Sequence, residues 1–153
     1  MHPKLTLLIL CALSASALNA LAENKVVTTG TVTEADQTYE AVSGTAALYV
    51  TGSESSYSGT NLTLSGIAEL NNGRNGALVA NQGRLDLHDT TSSGGAVPYG
   101  YAAYATGSSV MTISGGTFTT TGTYGNGVYY SGSSTGRVEN VSISTTELAA
   151  YGL

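Results

Sequence analysis

Short apolar–x–apolar dyads recur along the chain, each within a stretch rich in Gly, Ser and Thr. Alternation of apolar and polar residues is typical of a β-strand with one buried and one solvated face. Each dyad therefore predicts a strand, and the first residues of successive dyads lie 23, 26 and 30 positions apart. The four dyads are Leu62-Thr63-Leu64, Leu85-Asp86-Leu87, Met111-Thr112-Ile113 and Val141-Ser142-Ile143.

A second apolar series runs in step with the dyads. A unit that returns every few tens of residues is how a solenoid appears in sequence. The two series together predict an all-β fold, a parallel β-helix (β-solenoid) of about four coils. A β-sandwich or barrel is the alternative, although neither needs such a repeat. The members of the second series are Ala46-Ala47-Leu48-Tyr49, Gly76-Ala77-Leu78-Val79, Tyr101-Ala102-Ala103-Tyr104 and Gly127-Val128-Tyr129-Tyr130.

The repeats divide the chain after residue 22 into two parts. Residues 46–153 are predicted to hold the coils, and residues 23–45 a lead-in that is either a first coil or an N-terminal cap. Parallel stacking should place equivalent dyads above one another and their middle residues outside. The predicted inward column is Leu62 and Leu64, then Leu85 and Leu87, Met111 and Ile113, Val141 and Ile143, with Thr63, Asp86, Thr112 and Ser142 outward.

Residues 1–22 have the pattern of a secretory signal peptide. Lys4 supplies the positive charge, an apolar stretch follows to Leu18, and Ala20-Leu21-Ala22 is a small-x-small cleavage site. The apolar stretch is shorter than the roughly 20 residues that span a bilayer. We therefore expect export, with Glu23 as the first mature residue and Cys11, the only cysteine, removed with the leader.

Composition narrows the classes of function. Charged residues make up 10% of the 153 residues and Gly is common, which favours strands and tight turns over amphipathic helices. The formal net charge is −5. A protein that binds nucleic acid needs a basic surface to neutralise phosphates, so nucleic acid is excluded as a partner.

Several segments share one form, an apolar strand that runs into Gly. They are Ala47-Leu48-Tyr49-Val50-Thr51-Gly52, Leu62-Thr63-Leu64-Ser65-Gly66, Gly76-Ala77-Leu78-Val79-Ala80-Asn81-Gln82-Gly83, Val110-Met111-Thr112-Ile113-Ser114-Gly115-Gly116 and Gly127-Val128-Tyr129-Tyr130-Ser131-Gly132. In these segments the chain resembles the passenger domain of pertactin-like autotransporters, over about residues 45–153. The resemblance implies a right-handed parallel β-helix that crosses the periplasm of a Gram-negative bacterium. It implies a final location at the cell surface, at the outer membrane or outside the cell.

The same resemblance implies an outer-membrane translocator barrel at the C-terminal side of the passenger. No series of amphipathic barrel strands follows in this sequence, and the integrin-type tripeptide Arg-Gly-Asp of some members is absent. We therefore expect the chain to be an N-terminal fragment of a longer autotransporter. A truncated, non-functional remnant is the alternative.

One cluster of chemically active residues is a candidate site. Asp86 is expected to point outward between two inward leucines, with His88 on the same side and Asp89 at the following corner. Such a set could bind a metal or relay a proton, but a metal site takes three or four ligands. A solvated strand edge is the favoured interpretation. We predict no catalytic, cofactor-binding or metal-binding residues.

A fragment of a β-helical carbohydrate-active enzyme is the other alternative. Glycoside hydrolysis needs two carboxyl groups about 5–9.5 Å apart. The predicted column neighbours of Asp86 are Thr63, Thr112 and Ser142, none of them acidic. The sequence therefore favours a non-enzymatic adhesion or display scaffold, with a host surface or a carbohydrate as its ligand.

The chain has ten tyrosines, and several of them recur at similar places in the coils. Aromatic side chains on a sheet face can bind sugar rings or a protein partner. Mutual stacking that holds the coils together is the favoured prediction. Tyr49, Tyr104, Tyr129 and Tyr130 fall near equivalent positions, and Tyr99, Tyr101 and Tyr124 fall near corners.

Overall fold

The computed structural model describes residues 23–42, 46–67, 75–147 and 151–153, so the predicted signal peptide lies outside the described residues. Within these ranges the regular secondary structure is β-strand throughout, with no helix. No described segment is therefore a helix long and apolar enough to cross a membrane. The strands are β1 (Lys25–Val27), β2 (Gly30–Ala35), β3 (Thr38–Glu40), β4 (Ala46–Thr51), β5 (Ser55–Thr60), β6 (Thr63–Ser65), β7 (Asn75–Ala80), β8 (Arg84–Ser93), β9 (Ala103–Ala105), β10 (Val110–Thr120), β11 (Val128–Tyr130), β12 (Thr135–Glu139) and β13 (Ser142–Thr145).

The strands form two parallel sheets. The five-strand sheet has the order β1-β4-β7-β9-β11, and the eight-strand sheet has the order β2-β5-β8-β10-β12 with β3, β6 and β13 paired alongside. Each strand pairs with its counterpart one coil away, which in parallel sheets places the rungs about 4.8 Å apart. The predicted all-β solenoid of about four turns is confirmed.

The eight-strand sheet is bent into two flat segments, because its two longest strands each continue through a bend. We call these segments the first and the second face of the sheet. β8 pairs with β5 through its first half and with β6 through its second half. β10 pairs with β12 and then with β13 in the same way. Every rung therefore contributes one segment to the five-strand sheet and two to the eight-strand sheet.

Residues of the lead-in form a rung of the same design as the later ones. β1 pairs with β4, β2 with β5 and β3 with β6. Three inward positions of this rung hold Lys25, Glu34 and Tyr39, in columns that later rungs fill with residues such as Leu48 and Leu87. Val27 and Ala41, by contrast, are apolar and buried. The first described rung thus has a partly polar interior, and we call Lys25, Glu34 and Tyr39 its polar layer.

The predicted stacking of the dyads is right between the second and third dyads and wrong between the first and second. The dyad at 111–113 lies above the dyad at 85–87, as expected. The dyad at 85–87, however, lies above residues 57–59 and not above the dyad at 62–64. Leu64 pairs instead with Ser92, in the second half of β8.

The predicted stacking of the fourth dyad on the third is also wrong. Ile143 lies above Phe118, whereas the residues above Met111 and Ile113 are Gly136 and Val138. The first and fourth dyads belong to the second face of the eight-strand sheet, and the middle two belong to the first face. Both faces alternate apolar and polar residues, so alternation alone could not separate them.

The corner between the two faces of the eight-strand sheet is turned by a residue with positive φ in every rung. These residues have φ between 47° and 76°. Asn and Asp tolerate this left-handed conformation better than most other residues do, and Gly adopts it freely. Asn61 Nδ2 also donates a hydrogen bond of 2.6 Å to Asp36 Oδ1 in the rung below. The five residues are Asp36, Asn61, Asp89, Gly115 and Asn140.

Inward side chains fill the space between the sheets, and large residues lie beside small ones. Gly136 stands above Met111, where a Cβ would lie 1.7 Å from the Met111 carbonyl oxygen and 2.8 Å from the Tyr130 hydroxyl. The Tyr130 hydroxyl lies in that space and donates a 2.7 Å hydrogen bond to the Met111 carbonyl. The largest fully buried side chains are Tyr57, Phe118, Leu48, Leu62, Leu64, Leu85, Leu87, Met111, Ile113, Val50, Val79 and Val128.

Candidate functional site

The outward face of the five-strand sheet carries one column of large apolar and aromatic residues. Pairing aligns Val26, Tyr49, Leu78, Tyr104 and Tyr129 in successive rungs. The predicted equivalence of three of these tyrosines is confirmed.

Tyr130 does not share this column. It pairs with Ala105, in the neighbouring column, where Val79 and Val50 are fully buried. Its inward position explains why burial raises the pKa of Tyr130 to about 12. The prediction that Tyr130 is near-equivalent to the other three tyrosines is therefore wrong by one residue, since Tyr130 follows Tyr129 and its side chain points to the other face.

Five tyrosines of the last two complete rungs lie together, and we call them the tyrosine patch: Tyr99, Tyr101, Tyr104, Tyr124 and Tyr129. The rings of Tyr104 and Tyr129 stack with centroids 5.5 Å apart. Tyr101 is tilted against both, at 4.9 Å from Tyr104 and 5.2 Å from Tyr129. Tyr99 and Tyr124 form a second stacked pair at 5.4 Å. Mutual stacking of these tyrosines, the favoured prediction, is thus confirmed.

The backbone at Tyr99 and Tyr124 is strained. Both residues have positive φ, 62° and 59°. Each is the third residue of a four-residue turn, closed by a hydrogen bond of 3.0 Å from Gly100 N to Val97 O in one rung and of 2.9 Å from Gly125 N to Gly122 O in the next. Turns with positive φ at this place favour Gly or Asn there.

The strain at these turns is about as large as the gain from ring stacking. A left-handed conformation costs a residue with a Cβ about 1–2 kcal/mol. A stacked aromatic pair adds only about 0.5–1.5 kcal/mol beyond the area that it buries. Both rings nevertheless remain about half exposed, at 52% for Tyr99 and 48% for Tyr124. The fold alone therefore gives little reason for tyrosine at either turn.

Hydroxyl groups border the patch, and charged groups are absent from its sheet face. The Tyr104 and Ser131 hydroxyls lie 2.9 Å apart, and Ser131 donates a 3.1 Å hydrogen bond to Thr106. Burial, with the neighbouring tyrosines adding to it, raises the pKa of Tyr101, which keeps this phenol neutral. In the strands of the five-strand sheet the only charged residue is Lys25, whose ammonium lies 2.7 Å from Glu34.

The cluster predicted around Asp86 is located as the alternation required. Asp86 and His88 both point outward from β8, and His88 Nε2 lies 3.3 Å from Asp86 Oδ2. Asp89 turns the corner with φ of 47°. Among the described residues, no group of three or more His, Cys, Asp or Glu side chains could hold a metal ion.

The column neighbours of Asp86 differ from the predicted set. Ser58 lies below it, and Thr112 and then Arg137 lie above it. Arg137 is 2.5 Å from Glu139 on its own strand, in an exposed ion pair. Asp86 Oδ1 is enclosed and has no hydrogen-bond partner. This face thus presents Ser and Thr hydroxyls with a few charges and no pair of carboxylates in one column.

Two features of these sites were missed from the sequence. The polar layer of the first rung was missed because no inward positions were predicted within the lead-in, where Glu34 and Tyr39 lie. The pairing of Tyr99 with Tyr124 carried a signal, since Tyr-Gly recurs 25 residues apart at the same corner. The strained backbone under both rings had no signal of its own.

Comparisons of the chain with protein-family models, with curated proteins and with solved structures found no match. The functional argument therefore rests on the fold and on the surfaces described above. Of these surfaces, the tyrosine patch is the one that combines half-exposed aromatic side chains with stacking between the rings.

Proposed function

We propose that the chain is a non-enzymatic, surface-exposed or secreted β-solenoid of the autotransporter-passenger kind, and that it works as an adhesion scaffold. The observation that carries the proposal is the exposed aromatic patch on the outward face of a solenoid. Exposed tyrosines are enriched in recognition surfaces, where they give large contact area at a small cost in side-chain entropy.

Two further features support a role in display. A solenoid builds a long, stiff surface from contacts between neighbouring rungs only, so side chains can vary outside while the inward columns keep the fold. The N-terminal segment, with its apolar stretch and small-x-small site, favours export of the chain. The resemblance to pertactin-like passengers supports the same location, at the surface of a Gram-negative cell or outside it.

Export is tested by expressing the whole chain in a Gram-negative host and fractionating the cells. The expected product lies outside the cytoplasm, and its intact mass is that of a chain whose first residue is Glu23. Leu8→Arg, which places a charge in the apolar stretch, is the matched control and should keep the product in the cytoplasm. A wild-type chain that stays in the cytoplasm with residues 1–22 attached would overturn the export part of the proposal.

Adhesion is tested with beads coated with the purified chain and offered to layers of epithelial cells. The expected result is retention of coated beads well above that of beads coated with albumin. Equal retention of the two kinds of bead on every cell layer tried would overturn the adhesion part. No measurement of enzymatic activity is needed for either outcome.

A further inference from the structure

We propose that the tyrosine patch is a binding site for a neutral saccharide, with sugar rings lying against Tyr99 and Tyr124 and hydroxyl contacts at Tyr104. The inference deepens the proposed adhesion function and rests on it. It names one class of ligand, a neutral oligosaccharide or polysaccharide chain.

The size of the patch favours a small ligand over a folded protein. A tyrosine side chain buries about 150–250 Å² when it is fully enclosed. With two rings about half exposed and three rings less exposed, the patch offers roughly 400 Å² in total. A standard protein interface buries about 800 Å² on each partner. A chain of a few sugar units can cover the patch, whereas a protein partner would need a surface about twice as large.

The chemistry of the patch fits a sugar. The face of an aromatic ring carries negative charge density, which attracts the C–H groups on the apolar side of a pyranose. The hydroxyls of Tyr104, Ser131 and Thr106 can donate and accept hydrogen bonds at the edge of the patch. The five-strand sheet presents no charged side chain outward in the described strands. With a net charge of −5, the chain as a whole disfavours an anionic polysaccharide.

The place of Tyr99 and Tyr124 in their turns supports a binding role through the exposure of the two rings, because positive φ by itself also occurs at other corners, as at Gln82, Ser108 and Ser133. Strained backbone conformations persist where the surrounding structure enforces them, and they concentrate at ligand-binding sites. Among the described non-Gly residues with positive φ, Tyr99 and Tyr124 are the aromatic ones, and Gly follows one residue later in each turn. Both rings are held half exposed, so a ligand can contact them without breaking the pair.

Binding is measured on the full purified chain by titration with defined oligosaccharides. The chain has no Trp, so its intrinsic fluorescence comes from its ten tyrosines, five of which form the patch, and the variants below assign a change to particular rings. The probes are cellohexaose, chitohexaose and maltohexaose as neutral ligands and hexagalacturonate as an anionic one. The expected result is a saturable change with at least one neutral probe and none with the anionic probe. No saturable change with any neutral probe would overturn the proposal.

Variants locate the binding. Tyr99→Gly and Tyr124→Gly each remove a ring and suit the positive φ, so they should keep the fold and weaken binding about tenfold or more. Tyr124→Phe keeps the ring and should bind within a few-fold of wild type. Tyr49→Ala, two rungs away from Tyr104 in the same outward column, is the matched control and should bind like wild type. Equal losses in Tyr49→Ala and Tyr124→Gly would overturn the proposal.

A bead-adhesion experiment distinguishes a failure of the saccharide proposal from a failure of the proposed adhesion function. Periodate treatment of the epithelial cells destroys sugar diols and should abolish adhesion. Suppose that beads adhere equally to periodate-treated and untreated cells, and that Tyr124→Gly abolishes this adhesion. The patch then binds protein, which overturns the saccharide proposal and leaves the adhesion function in place. If a neutral probe binds at the patch but beads adhere to no cell layer, the saccharide site stands and the adhesion function fails.

Discussion

The hydroxyl of Tyr57 donates a 2.9 Å hydrogen bond to Glu34 Oε2, from the second rung of the solenoid into the first. Tyr57 is fully buried, whereas Glu34 is partly exposed at the start of the stack. Tyr39 donates a second hydrogen bond to the same oxygen, and Lys25 contacts Oε1 at 2.7 Å. A carboxylate that accepts three such bonds is well satisfied, so these residues close the interior at this end with a polar layer.

Removal of the Tyr57 hydroxyl should weaken this layer. Tyr57→Phe leaves the ring in place and deletes one hydrogen bond to a charged group, which is expected to lower the free energy of unfolding by about 1.5–3 kcal/mol. Urea unfolding followed by far-UV circular dichroism measures the loss. Tyr49→Phe, which changes an outward tyrosine, is the matched control and should cost little. A loss in Tyr57→Phe no larger than in the control would contradict the account.

Glu34 should make stability depend on acidic pH. Burial by itself raises the pKa of Glu34, but hydrogen bonds from Lys25, Tyr39 and Tyr57 and the charge of Lys25 outweigh it, so the pKa lies below its ordinary value of 4.5. The folded state then binds this proton less readily than the unfolded state does. The stability that Glu34 contributes is therefore fully present above pH 4.5 and is lost as the pH falls through the lowered pKa.

The free energy of unfolding, measured in urea from about pH 7 to about pH 3, tests this dependence. Glu34→Gln keeps an acceptor but cannot ionise, so its stability should fall less steeply with acidification. The two proteins should differ most at neutral pH and converge at the acid end. Parallel curves across the whole range would show that Glu34 contributes nothing to the pH dependence.

Two partly buried phenols, those of Tyr39 and Tyr130, should resist ionisation at alkaline pH. Burial is the main cause that raises the pKa of Tyr39 and of Tyr130 to about 12, and for Tyr39 the bond to Glu34 adds to it. Each therefore contributes stability that is present below pH 10 and is lost between about pH 10 and 12. Part of the tyrosinate absorbance should appear only as the β-sheet signal is lost. The urea-unfolded chain should titrate in one stage, and a folded chain that does the same would contradict this prediction.

Asp86 should be replaceable with a gain in stability. Its Oδ1 is enclosed without a hydrogen-bond partner, and Ser58 and Thr112 stand below and above it. Asp86→Thr removes the unpaired oxygen and adds a β-branched residue, which is expected to stabilise by up to about 1 kcal/mol. Thermal unfolding at high salt, which screens the exposed contact to His88, measures the gain. Ser58→Thr changes propensity alone and should gain less; a lower Tm for Asp86→Thr would refute the argument.

The fold class could be predicted from the sequence, because the alternation of apolar and polar residues and the spacing of the repeats both correspond to features of the stacked strands. Asp86 points outward between Leu85 and Leu87 as alternation required, and the second apolar series became the five-strand sheet. The register failed where two faces with the same alternation compete, as at Leu64, which pairs with Ser92. The local pattern cannot decide on which face a dyad lies, because the face depends on where each rung turns its corner.

The candidate site was visible only in part. Recurrence of Tyr49, Tyr104 and Tyr129 at one coil position predicted an aromatic column. The contacts of Tyr99 with Tyr124 depend on matching turns in two rungs, and their positive φ depends on backbone geometry that Tyr normally avoids.

The most direct test of the account compares the adhesion of beads coated with wild-type chain, with Tyr49→Ala or with the double variant Tyr99→Gly/Tyr124→Gly. All three proteins should have the same circular dichroism and unfold cooperatively. The account predicts that wild-type and Tyr49→Ala beads adhere equally and that double-variant beads adhere about tenfold less or weaker still. Equal adhesion by all three folded proteins would contradict the claim that the tyrosine patch is the recognition surface.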